Sequence, residues 1–170
     1  MSKIKAISLA TLGAIAVQPA VFLAWLGLPA LTVGQVSAFL DAARYSFMPA
    51  VFAVLFVLFI GVPAALLLAH YGKLRWWPLA SIGFFAAGLP VALSTPGGGP
   101  GYSSGGSWYG KHVDFIVNGE PTLYGWLNYI QSVFFFGLHG LAGATVFYII
   151  LRRSMGPNNS FKPMPLRGTA

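Results

Sequence analysis

The sequence predicts an all-α integral membrane protein with four transmembrane helices, both termini cytoplasmic, and a short β-hairpin in the second extracytoplasmic loop. Three observations carry this expectation. Of 170 residues, 56% are hydrophobic and only 8% are charged, where soluble domains carry about a quarter. Four stretches, 6–40, 45–72, 76–110 and 121–151, contain no Asp, Glu, Lys or Arg. Each holds an apolar run near the roughly 20 residues that a bilayer crossing needs. Basic residues gather at the ends of alternate runs, the pattern that orients helices in a membrane.

The first helix is expected over Ala6–Leu28. Lys3 and Lys5 precede it, and Ala14-Ile15-Ala16 has the look of a signal-peptide cleavage site. The apolar run continues to Leu31, which favours an uncleaved anchor. Gly34–Phe47 follows, with Val36, Phe39, Leu40 and Ala43 at helical spacing and Asp41 and Arg44 able to pair. This reads as an amphipathic helix lying on the outer interface. The remaining spans are expected over Met48–His70, Trp77–Leu93 and Tyr124–Leu151. Pro19, Pro63 and Pro90 fall inside helices one to three and should kink them.

Lys3, Lys5, Lys73, Arg75, Arg152, Arg153, Lys162 and Arg167 lie on one side of these spans, with no acid among them. Arg44, Lys111, Asp41, Asp114 and Glu120 lie on the other. The basic side is expected to be cytoplasmic. Small residues recur at helical spacing as Ala6, Ala10 and Ala14 (continuing to Gln18), as Gly61, Ala65 and Ala69, and as Gly137, Gly140 and Ala144. Such stripes let helices approach closely in lipid. Packing within the bundle is the leading reading, and homo-oligomer contact the alternative.

The second outer loop begins with the glycine-rich stretch 96–110, which lacks the Lys-Ser/Thr ending of a phosphate-binding loop and reads as a flexible connector. Residues 112–124 then carry two β-prone runs around Asn118-Gly119, a strong hairpin signal. A two-residue turn pairs Val117 with Glu120. Ile116 then faces Pro121 at a non-hydrogen-bonded site, where the missing proline N–H costs nothing. Val113, Phe115 and Val117 would share one face and need cover.

The chain contains no cysteine, which removes disulfides, thiolate metal sites and cysteine nucleophiles. A formal charge of +7 is spread over helix ends rather than one basic face, so nucleic acid is not an expected partner. No carboxylate lies inside a helix, against proton-coupled export. His70 and His139 sit at different depths, against a shared haem. His112 and Asp114 fall on one face of a strand, with Glu120 nearby. With no second histidine, a solvated face is the simpler reading than a metal or acid–base cluster. Ser103, Ser104 and Ser107 have no visible base. No catalytic, metal or cofactor-binding set is therefore assigned, and no cofactor is expected. The candidate contact surface is His112, Asp114, Phe115, Asn118, Gly119 and Glu120. The candidate intramembrane polar residues are Gln18, Gln131 and His139, with His139 expected to bond across a close helix contact to Gln18 or Gln131.

Residues 1–157 thus form the expected transmembrane domain, and 158–170 a polar tail whose composition predicts disorder. The tail reads Asn158-Asn159-Ser160-Phe161-Lys162-Pro163-Met164-Pro165-Leu166-Arg167-Gly168-Thr169-Ala170. It resembles the C-terminal ends of uncharacterised small membrane proteins carried on bacterial integron gene cassettes, with Met164 at a variable position. The resemblance covers those last 13 residues and implies a mobile bacterial gene. It implies no activity, because cassette cargo is diverse.

The leading functional expectation is a non-enzymatic protein of the bacterial inner membrane, embedded in the lipid bilayer. It would act as an interaction or stress-adaptation factor, with the outer hairpin as its contact surface for a protein partner. The alternative is a small transporter or channel for a neutral or apolar solute. A polar path through the bundle separates the two, and Gln18, Asn128, Gln131 and His139 offer little of one.

Overall fold

The computed structural model describes residues 2–32 and 34–155; the tail expected over 158–170 lies outside them. Four apolar helices follow one another as Lys3–Thr32, Val36–His70, Trp76–Ala92 and Leu123–Met155. Three of them, of 30, 35 and 33 residues, are long and apolar enough to cross a membrane. Trp76–Ala92 has 17 residues, about 25 Å of helix.

Glycine ends the first two helices. Gly34 has φ 73°; its N–H reaches the Leu31 carbonyl at 3.1 Å, and the Gln35 N–H reaches Ala30 at 2.8 Å. Gly72 has φ 67°; its N–H reaches Ala69 at 3.1 Å, and the Lys73 N–H reaches Leu68 at 2.8 Å. Both are the left-handed closure that satisfies the last helical carbonyls and that a side chain would resist.

The amphipathic segment Val36–Tyr45 is helical, and it is continuous with the second long helix, Val36–His70. Ser46 and Phe47 keep right-handed helical backbone angles, so the segment runs on into 48–70. It also packs back on the first helix, where a Cβ at Gly27 would stand 3.1 Å from the Phe39 ring. Asp41 and Arg44 pair at 3.8 Å while largely exposed, a contact of little energetic weight.

The prolines act locally. The first helix breaks at Val17, two residues before Pro19. Leu23–Gly27 and Val57–Gly61 widen into π-helix, with the Leu28 N–H bonding Leu23 and the Val62 N–H bonding Val57. Pro29 and Pro63 follow directly. Each lacks an N–H and its ring displaces the carbonyl four residues back, and a wider turn absorbs both effects. Pro90 lies within the third helix near its end.

The fourth helix is the centre of the packing, with the first and third against it. Ala6, Ala10 and Ala14 are buried in a cluster with Ala65, Leu79, Phe147, Leu151 and Met155. On the other side Gly83 and Gly140 meet so closely that a Cβ on Gly140 would lie 2.6 Å from the Gly83 carbonyl carbon. Lipid offers helices no hydrophobic drive to associate, so close backbone contact of this kind supplies the dispersion energy that holds them. The small-residue stripes are therefore used inside the bundle. The second helix contacts its neighbours less and exposes Val51, Leu55, Phe59 and Leu67.

Between helices three and four lies a three-stranded antiparallel sheet, β1 (Ser104–Trp108), β2 (Lys111–Val117) and β3 (Glu120–Pro121), in that order. Val117 pairs with Glu120 and Ile116 with Pro121. Asn118 and Gly119 have φ 52° and 90°, both positive as a primed turn requires. The glycine-rich stretch is not the free connector expected from its composition. Its 104–108 portion is β1, joined to β2 by a second turn with positive φ at Tyr109 and Gly110, 47° and 82°. Its earlier portion folds over the first turn: Gly98 N–H bonds the Gly119 carbonyl at 3.0 Å, and Gly119 N–H bonds the Tyr102 carbonyl at 2.6 Å.

Candidate functional site

The sheet is fastened to the bundle through Thr122. Its backbone N–H donates to the Phe115 carbonyl at 2.9 Å, and its hydroxyl donates to the Asp114 carbonyl at 2.6 Å. The same hydroxyl accepts the Gly125 N–H at 3.2 Å, capping the fourth helix. Tyr129 strengthens the join by donating to the Ala92 carbonyl, at 2.7 Å, across helices three and four. Thr122 was not singled out in the sequence. Its signal is a threonine just before a long apolar run, which the hairpin pattern of 112–124 overlaps.

The candidate contact surface divides. His112 and Asp114 lie side by side over Gly105: a Cβ there would be 3.0 Å from Asp114 Oδ1 and 3.5 Å from His112 Nε2. Glu120 pairs with Val117 instead, on the far side of the sheet from β1. Among the described residues no three His, Cys, Asp or Glu side chains group as metal ligands. Phe115 is half-buried, with Trp108 at 6.3 Å between ring centres and Tyr124 beyond it. Asn118 and Gly119 form the turn already described, and Asn118 N–H donates to Ser103 Oγ at 3.0 Å.

The intramembrane polar residues form a tighter arrangement. Gln18 and His139 are 3% and 7% exposed. Gln18 continues the Ala6-Ala10-Ala14 stripe onto the fourth helix, and His139 sits between Gly137 and Gly140 where that helix is closely approached. His139 Nδ1 and Gln18 Oε1 are 2.6 Å apart. Gln18 Nε2 donates to the Ala14 carbonyl at 2.9 Å and to the His139 carbonyl at 3.3 Å. His139 Nε2 is buried with no hydrogen-bond partner among the described residues. Gln131 is half-buried and does not join them. Asn128 is exposed.

Gln18 and His139 also line a cavity of about 450 Å³ that takes wall residues from all four helices. Phe22 comes from the first helix; Phe52, Phe56 and Ile60 from the second; Ile82, Ala86 and Val91 from the third; Phe135, Phe136 and Phe147 from the fourth. The second helix forms the far wall, and its π-turn at Val57, Ile60 and Gly61 faces the space. Among the described residues, Gln18 and His139 are the only polar side chains in the wall, and no charged residue lines it. The volume lies within the usual range for small-molecule sites, roughly 300–1,000 Å³. The wall offers no nucleophile–base pair and no carboxylate beside the histidine. The space is apolar, with Gln18 and His139 as the polar residues of its lining.

The cavity escaped the sequence reading for a physical reason. In lipid, residues facing the membrane and residues facing the interior are both apolar, so periodicity does not separate them. No protein-family model matches the chain, and neither does any curated protein or solved structure.

Proposed function

We propose that the chain is a four-span protein of the bacterial inner membrane that holds an apolar small molecule in the middle of its bundle, as a carrier or intramembrane binding protein. The observation that carries this is the 450 Å³ cavity, walled by all four helices and polar only at Gln18 and His139. A polar solute would find no path there, whereas a neutral, mostly hydrocarbon one is matched by the wall. The fourth crossing is supported by the third helix, whose 17 residues approach bilayer thickness and gain length from Leu93 beyond it. Cytoplasmic termini are supported by Lys3, Lys5, Lys73, Arg75, Arg152 and Arg153, all at helix ends opposite the sheet. The tail resemblance supports a bacterial source.

A contact role for the sheet has less beneath it. Phe115, which would have sought cover from a partner, is partly covered by its own chain. Val117 and Tyr109 remain exposed, at 43% and 80%, and no partner's chemistry is written in them.

Pyrene binding to the full-length protein in lipid nanodiscs tests the proposal, with empty nanodiscs subtracted. Saturable binding near one per protein is expected. Ala86→Phe, which places a ring in the cavity, should abolish it while leaving the helical content unchanged. Absence of saturable binding, or binding unaltered in Ala86→Phe, would overturn the proposal.

A further inference from the structure

The polar point in the cavity has a defined hydrogen-bond polarity. Gln18 Nε2 stands 2.9 Å from one carbonyl oxygen and 3.3 Å from another. Two acceptors at one end of an amide fix that end as the NH2 group, so Oε1 is the acceptor facing His139 Nδ1. Nδ1 therefore carries the ring proton in that 2.6 Å contact. In a neutral imidazole the other nitrogen is then an acceptor. That nitrogen, Nε2, is buried and has no partner among the described residues. A buried acceptor in this state is a standing cost, which a matching donor removes.

The rest of the wall narrows the class of molecule. Among the described residues it contains no Asp, Glu, Lys or Arg, so an ionic ligand would lose its hydration without finding a countercharge. Apolarity alone does not draw a hydrocarbon out of the bilayer, because lipid tails are as apolar as the wall, so what holds one in the cavity is its fit to that wall. Selective retention then depends on shape and on one hydrogen bond. We infer that the cavity selects a neutral, predominantly hydrocarbon molecule bearing a hydroxyl group, whose O–H donates to His139 Nε2. This rests on the reading of the bundle as an intramembrane binding site. Because Nε2 is covered, the hydroxyl reaches it when a wall side chain turns aside. We assign that movement to Phe135, which lines the cavity and stands T-shaped to the imidazole with ring centres 4.7 Å apart.

The compounds 2-naphthol and 2-methoxynaphthalene share a ring system and differ in the single donor. Their saturable binding to the full-length protein in nanodiscs is compared after each is corrected for its own partition into empty nanodiscs. The naphthol should bind roughly tenfold tighter, the scale expected when a buried acceptor gains its donor. In His139→Asn the side-chain amide can keep the bond to Gln18 but places no atom at Nε2, and the ratio should fall to near one. Equal wild-type affinities, or a ratio unchanged in His139→Asn, would overturn the hydroxyl inference while leaving the cavity as a binding site. Saturable binding of neither compound would defeat the binding-site reading and this inference with it. Should His139→Asn fail to fold, the wild-type ratio alone decides.

Discussion

Replacing Gly140 by alanine probes the contact that positions the cavity's back wall. The new Cβ would lie 2.6 Å from the Gly83 carbonyl carbon and 2.7 Å from Ala87 Cβ. The obstacle is backbone and a short side chain, so no rotamer change clears it. Carbon atoms in favourable contact sit about 3.5–4.0 Å apart, so helices three and four must separate by about 1 Å. A gap of that size forfeits a quarter to a half of each dispersion contact along the seam. Overpacking of this kind costs about 1–3 kcal/mol, and about 2 kcal/mol is expected here because neither helix can yield alone. Gly99→Ala is the matched control, since its Cβ would meet nothing within 4 Å. Reversible unfolding in bicelles, followed by steric trapping, measures both. A loss under about 0.5 kcal/mol in Gly140→Ala, indistinguishable from the control, would show that the seam is not close-packed and that the reasoning is wrong.

Gly119→Val should disorder the sheet without disturbing the inserted helices. Gly119 has φ 90°, and its Cβ would stand 2.7 Å from the Gly99 carbonyl oxygen and 2.9 Å from that of Gly98. Amide exchange should accelerate across 112–121 and stay slow in the fourth helix; retained protection of the strands would contradict this. Reporter fusions inserted after Gly72 and within 97–106 should report opposite sides of the membrane, with the Gly72 fusion cytoplasmic. Both on one side would remove the third crossing.

What the sequence disclosed, and what it hid, divides along physical lines. The four apolar stretches were plain because length and absence of charge are linear properties. The Asn118-Gly119 turn and its register were plain because only a few dipeptides tolerate two positive φ values. Strand β1 was hidden because Ser-Gly-Gly-Ser-Trp has almost no side chains with which to show alternation. Its glycines are what the sheet requires: Gly105 leaves room for His112 and Asp114, and a Cβ on Gly106 would stand 3.0 Å from the Phe115 ring. The absence of side chains that concealed the strand is the reason it pairs. The amphipathic segment was legible from its helical spacing, but not its continuity with the second helix or the close approach of Phe39 to Gly27, since an apolar face does not say which neighbour it meets.

The candidate site was half legible for a related reason. A polar side chain in a lipid-embedded helix must find a partner inside the bundle, which marks Gln18 and His139 in the sequence. Their surroundings even indicated direction: Gln18 extends a stripe of alanines, and His139 lies between two glycines at a close crossing. Those cues bring two residues together, but they say nothing of the space beside them. The cavity lies between the second helix, with its π-turn ahead of Pro63, and the fourth, and Phe52, Phe56, Phe135 and Phe136 all line it. Had these helices closed fully, the Gln18–His139 pair would be a structural hydrogen bond and nothing more. With the gap present, the same pair becomes the single polar feature of an apolar chamber. On the reading proposed above, a pair satisfied on the Gln18 side and unsatisfied at Nε2 is what would let such a chamber choose among apolar molecules rather than merely admit them.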